Sequence, residues 1–253
     1  LIILKSPEEV RKIKYSSMIV AEILNEVKKK AIPGITTLEL DRISEDLAKK
    51  RGVKPAFKGY RGFPFSLCTS LNNEIVHGLP SKRVLKEGDI LSLDFGVIYD
   101  GYYGDAAITF PVGKVLPEAE RLLRITEESL YIGVKMAQKD NRVFDISYAI
   151  QSYAENNGFS VVKDFVGHGI GKNLHEDPQI PNFGKPGTGI RLRVGMVFTI
   201  EPMINVGKSE VTILPNGWTA VTRDGSLSAH FEHTIVITEE GPIILSEFKE
   251  VYA

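Results

Sequence analysis

Cysteine is almost absent from this chain: Cys68 stands alone among 253 residues. An internal disulfide is therefore excluded, and the reducing cytosol is the expected compartment. An excess of charge is missing too, because 31 basic residues stand against 32 acidic ones. No long-range field draws the protein to nucleic acid or to an anionic membrane, and neither is expected as a partner. No apolar run approaches the roughly 20 residues that span a bilayer. The opening segment carries Lys5, Glu8 and Glu9, unlike a signal peptide. What is there is an apolar share of 43%, ordinary for a globular core. The expected partner is a compact molecule or a peptide.

Hydrophobic periodicity gives two helices before any strand. From Pro7 to Lys30 the residues Val10, Ile13, Ile19, Leu24 and Val27 recur at helical spacing, with Ser6 as a cap and Pro7 in the first position. A second helix is predicted from about Thr37 to Lys50, with Thr36 and Glu39 at capping-box spacing and Gly52 just past its end. Alternation then predicts a β-hairpin, running out through Ile90 to Phe95, turning at Asp100-Gly101 and returning through Asp105 to Phe110. The series repeats. A helix starts near Pro117, another spans about Val143 to Asn156 with Gly158 beyond, and strand-like runs follow at Met196 to Glu201 and Phe231 to Ile237. Ala31 to Gly52 matches Ala137 to Gly158 in spacing, and Gly88 to Asp94 matches Gly195 to Glu201. One unit, residues 1–253, is expected, with α+β halves of about 1–112 and 113–253. Their strands would join in one curved antiparallel sheet with helices outside. Between Asn205 and Ala229 the second half has extra, turn-rich sequence holding Trp218, expected near the rim of a site.

The repeat places acids at equivalent points: Asp94 and Asp105 in one half, Glu201 and Glu232 in the other. If Asp100-Gly101 makes a two-residue turn, Asp94 faces Ala107 and Asp105 is its diagonal neighbour on the same face, about 7 to 8 Å away at the backbone. A single acid in a strand is more often a solvated residue. Four inside hydrophobic runs would repel, and a cation resolves the repulsion. His168 lies in Gly167-His168-Gly169-Ile170-Gly171, where glycines leave the imidazole accessible as a nitrogen ligand. An oxygen-rich set with one imidazole suits one or two ions of Mn, Fe, Co or Zn, and such a centre activates water and polarises a carbonyl. His230 and His233 are read as facing away from Glu232, hence structural or solvated.

With these residues in place the chain resembles the type I methionine aminopeptidases of the pita-bread fold. The resemblance runs through Asn72-Asn73-Glu74-Ile75-Val76-His77-Gly78, Ser92-Leu93-Asp94-Phe95-Gly96, Gly104-Asp105, Gly167-His168-Gly169, Leu174-His175-Glu176, Thr199-Ile200-Glu201-Pro202 and Phe231-Glu232-His233-Thr234. It covers essentially the whole chain. It implies removal of the N-terminal methionine from peptides and nascent proteins, favouring a small second residue. It further implies two divalent ions, with Asp94 chelating one, Asp105 and Glu232 bridging both, and His168 and Glu201 completing the other. A metal-bound hydroxide would attack the first peptide bond with Glu201 as general base, while His175 binds the scissile carbonyl and His77 orients the peptide beyond it. Tyr60, Phe63, Cys68 and Trp218 match residues that line the family's methionine pocket, although Phe63 and Leu174 replace the Tyr and Phe common there. Some relatives also hold a monovalent cation on backbone carbonyls near Asn72 and Ser228, and the resemblance leaves room for one here. A monomer with at most transient ribosome contact is implied. Prolidases and X-prolyl aminopeptidases share the five ligands but normally carry a large N-terminal domain, whereas here the first catalytic-domain helix begins by about Pro7. A peptide-binding relative without metal should have lost ligands, and all five are present.

Overall fold

Ser6 and Thr36 each open a helix because each can satisfy a free N–H at its start. In α1 (Pro7–Lys30) the Ser6 hydroxyl accepts from the Glu9 N–H at 3.3 Å, and the Glu9 carboxylate accepts from the Ser6 N–H at 2.9 Å. Thr36 and Glu39 repeat the exchange at α2 (Thr37–Lys50). Each such cap contributes about 1 kcal/mol. The second half supplies α3 (Pro117–Met136) and α4 (Val143–Asn156). This computed structural model describes residues 2–248; Leu1 and residues 249–253, which the reading of one unit takes in, lie outside the described residues.

Fifteen strands complete the described chain. The first half has β1 (Lys54–Pro55), β2 (Leu67–Leu71), β3 (Glu74–Val76), β4 (Ile90–Tyr99) and β5 (Tyr102–Pro111). The second begins with β6 (Ser160–Val161), β7 (Gly167–Gly169), β8 (Glu176–Ile180), β9 (Val197–Ile200) and β10 (Met203–Asn205). It ends with β11 (Val211–Ile213), β12 (Ala220–Thr222), β13 (Ser228–His230), β14 (Glu232–Thr238) and β15 (Gly241–Ile244). The main sheet runs β1-β4-β5-β14-β9-β7-β8, with β2 added on β4 and β15 on β14.

The halves meet where β5 pairs antiparallel with β14, Ala107 opposite Glu232 and Ala106 opposite His233. The hairpin has the register expected from its turn: Tyr99 opposes Tyr102, Asp94 opposes Ala107 and Gly96 opposes Asp105. Asp100 and Gly101 both take positive φ, 48° and 76°, as a type I′ turn requires. Each half has its own core behind the sheet. Ile23, Leu24 and Val27 of α1 pack with Leu91, Leu93 and Phe95 of β4, while Leu122, Ile146 and Ile150 pack with Phe198 and Ile235. Helices thus cover the outer face and leave the inner face to side chains from both halves, which is the duplicated α+β, pita-bread arrangement. The stretch from Asn205 to Ala229 is more ordered than its turn-rich composition suggests. It folds into the β11–β12 hairpin, whose second strand pairs with β3.

Candidate metal centre

Asp94 and Asp105 descend from β4 and β5, Glu232 from the start of β14, and Glu201 follows the end of β9. All four carboxylates line one cavity of about 220 Å³ with His168. Asp105, His168 and Glu232 each offer a ligand atom, all three within 4.8 Å of one another. His168 Nε2 stands 3.7 Å from Glu201 Oε1 and 3.9 Å from Asp105 Oδ2. Asp94 is outside that tight trio, but it borders the same cavity and its charge is felt by both Asp105 and Glu232.

The electrostatics favour a cation or a proton among these acids. Burial pushes the Asp105 and Glu232 carboxyls well above the ordinary range, and neighbouring carboxylates push them further. Burial raises Asp94 to about 7, with His230 opposing the rise and Glu201 adding to it. Burial pushes Glu201 the same way, yet His230, His168 and the Thr199 hydroxyl outweigh it and hold this acid below its usual value. Among the described residues Asp94 Oδ1, Asp105 Oδ1 and Glu232 Oε1 are buried oxygens without a hydrogen-bond partner. Unpartnered buried acceptors are costly, and a divalent ion is the partner that would satisfy several at once. The oxygen-rich donor set therefore fits a divalent metal.

Neighbouring groups orient the donors. His168 Nδ1 lies 3.0 Å from the Gly169 carbonyl; donation there leaves Nε2 with its lone pair toward the carboxylates. Thr199 Oγ1 accepts from the His168 N–H at 3.0 Å and donates to Glu201 Oε1 at 2.9 Å, so one hydroxyl spaces two donors. The glycines flanking His168 allow the approach of strands: a Cβ on Gly167 would lie 2.4 Å from the Thr199 carbonyl oxygen, and one on Gly169 would lie 2.1 Å from that of Asp177.

The remaining predicted residues meet at the same cavity. Tyr60, Phe63, Cys68 and Trp218 line it together with His77 and His175. Phe63 packs edge-on against Trp218 with centroids 5.2 Å apart, and Cys68 sits opposite Asp94 in the β2–β4 register. Burial first, then the charges of Asp94 and Asp105, push the Cys68 thiol well up, so it serves as an apolar wall. His175 Nδ1 is 2.8 Å from the Tyr60 hydroxyl, and its ring lies 4.2 Å from that of His168. Its outer edge meets solvent, but desolvation of the ring and the neighbouring His168 lower it to about 4. His77 takes φ 58° and meets Phe165 edge-on at 5.4 Å.

A model of metallopeptidase family M24 matches residues 11–239. The chain belongs to this family. A metallopeptidase family agrees with a cavity lined by acids and a histidine that could hold a metal. The chain is 54% identical over 249 residues to a protein from Clostridium perfringens named methionine aminopeptidase, covering 98% of this chain and all of that one. A solved methionine aminopeptidase from Thermotoga maritima superposes with a TM-score of 0.96 at 50% identity, covering 98% of this chain and 100% of that one. The prolidase of Pyrococcus horikoshii shares the fold, with a TM-score of 0.79 at 23% identity, and this chain covers 65% of it.

The reading of His230 requires correction. It is buried, and its Nε2 lies 3.6 Å from Glu201 Oε2. The strand does not run through Phe231: β13 ends at His230 and belongs to a sheet with β10 and β6, whereas β14 begins at Glu232. The alternation of one strand therefore does not carry across. His233 is structural, not solvated, with Nδ1 3.0 Å from the Ser246 hydroxyl. Sequence reasoning also missed Thr199 and Phe165; the position of Thr199 two residues before Glu201 in Thr199-Ile200-Glu201 was the available signal for the first.

Proposed function

We infer that this chain is a metal-dependent methionine aminopeptidase, removing the N-terminal methionine from peptides and nascent proteins whose second residue is small. The observation that carries this reading is one small cavity in which buried acids with unpartnered oxygens face an apolar wall. At about 220 Å³ it is below the usual range of pockets for drug-sized ligands, which suits one side chain and a short length of backbone. A bulky second residue would crowd the acids.

Asp94, Asp105, His168, Glu201 and Glu232 would hold one or two divalent ions of the Mn, Fe, Co or Zn type. Such ions, when bound, acidify water and polarise a carbonyl. Glu201, held ionised by its neighbours, is the base that takes a proton from attacking water onto its carboxylate. His175, if its Nδ1 accepts from Tyr60, carries its proton on Nε2 and offers it to the scissile carbonyl oxygen. His77 orients the backbone beyond that bond. Tyr60, Phe63, Cys68 and Trp218 take the thioether side chain, to which soft apolar surfaces are suited. A monovalent cation near Asn72 and Ser228 belongs to the same reading; there the Ser228 N–H donates to the Asn72 carbonyl at 2.9 Å. So do a cytosolic location, a monomeric state and transient contact with the ribosome.

Methionine release from Met-Ala-Ser by metal-stripped protein, before and after addition of Mn, Fe or Co, tests the reaction. Metal-dependent release, slower with a bulky second residue, is expected. Faster cleavage of a dipeptide with proline second would replace this reading with a prolidase, and no release with any metal would refute peptidase activity.

A further inference from the structure

His230 is a buried imidazole to which the proposed reaction gives no task. Its relative exposure is 1%, and its Nε2 has no hydrogen-bond partner among the described residues. The backbone that carries it is fixed. Thr109 Oγ1 accepts from the His230 N–H at 2.9 Å and also lies 2.6 Å from the His230 carbonyl oxygen. The Ser92 hydroxyl reaches the same threonine at 2.8 Å, and His230 pairs with Met203 across β13 and β10. A side chain on so fixed a base has little freedom to turn elsewhere. It faces Glu201 Oε2 at 3.6 Å, about 0.4 Å beyond the usual limit for an N–H···O bond. The other oxygen of that carboxylate, Oε1, already accepts from Thr199 at 2.9 Å. Glu201 is therefore flanked by Thr199 on one side and His230 on the other.

We propose that His230 is a positioning residue of the metal centre, its ring N–H directed at Glu201 Oε2 so that Thr199 and His230 together set the plane in which Glu201 meets the ion. This rests on the metal centre inferred above. His230 acts through Glu201 and touches neither substrate nor metal. Partners of this kind, one bond removed from a metal, typically change affinity 10- to 100-fold when lost. What matters is an N–H donor at that place; a residue that merely fills the volume does not supply one.

The test compares Mn2+ binding by calorimetry in the unaltered protein, His230→Leu and His230→Gln, with circular dichroism of the metal-free forms as the check on folding. Leucine fills the space without a donor, whereas the glutamine amide can donate. The leucine variant is expected to bind Mn2+ 10- to 100-fold more weakly and to lose kcat more than KM, while the glutamine variant recovers most of both. Equal Mn2+ affinity in the leucine variant, or equal loss in both variants, would overturn the assignment. Should the leucine variant fail to fold, His230→Asn, whose shorter amide falls back from Glu201, replaces it under the same expectations. Absence of Mn2+ binding by the unaltered protein would instead refute the metal centre, and this assignment with it.

Discussion

Replacing Asp94 by Asn should make the metal-free protein more stable while weakening its hold on metal. Burial raises the Asp94 carboxyl from 3.8 to about 7. A folded-state value above the unfolded one means that the unfolded chain ionises first as pH rises. Stability is therefore intact below the ordinary carboxylate value, falls as pH climbs toward 7, and levels off above it. At about 1.4 kcal/mol per unit the full shift amounts to about 4 kcal/mol. The titration is shared with Asp105 and Glu232, and asparagine keeps an amide to satisfy, so a gain of about 2 to 4 kcal/mol at pH 8 is expected. For a chain of this size that is about 10 °C in melting temperature. The asparagine N–H can donate to Asp105, which in the native protein is repelled by Asp94. The assay is thermal melting of both proteins at pH 5 and pH 8, each in EDTA and in excess Mn2+. In EDTA the variant should melt higher at pH 8, by a smaller margin at pH 5. In Mn2+ the order should reverse, because binding to the folded state stabilises the native protein more. A variant that melts lower in EDTA at pH 8 would refute the argument that these carboxylates repel one another without a cation.

Two further substitutions probe the scaffold. Gly169→Ala forces a Cβ to within 2.1 Å of the Asp177 carbonyl oxygen, so β7 must move and carry His168 with it; at least a tenfold loss of Mn2+ affinity is expected by calorimetry, on the order of that for a displaced supporting group. Lys5→Met removes one partner of a buried ion pair with Glu176, whose side chains are 4% and 8% exposed; urea unfolding should show a loss of about 3 to 5 kcal/mol, and unchanged stability would mean that the pair contributes little.

Much of this architecture was legible because it follows from local rules. The capping pairs Ser6 with Glu9 and Thr36 with Glu39 fix where α1 and α2 begin. Asp100-Gly101 fixes the β4–β5 register, and through it the shared face of Asp94 and Asp105. The internal repeat correctly joined two halves in one sheet. What escaped depends on contacts between distant segments. The break at Phe231, whose N–H bonds to the Pro202 carbonyl at 3.3 Å, sends His230 toward Glu201 against a simple alternation. The β11–β12 hairpin forms on β3, over a hundred residues earlier in the chain, and short strands such as β7 carry too few residues to show a period. Cys68 could be named from a resemblance, but its place opposite Asp94 required the pairing of β2 with β4.

The proposed function stands on the convergence of five side chains from the two halves on metal. Its most direct test is an anomalous difference map from crystals of the metal-stripped protein soaked in Mn2+. One or two strong peaks are expected, bounded by Asp94, Asp105, His168, Glu201 and Glu232, with ligand atoms about 2.0 to 2.3 Å from the ions. Strong peaks elsewhere, with this cavity holding none, would contradict it.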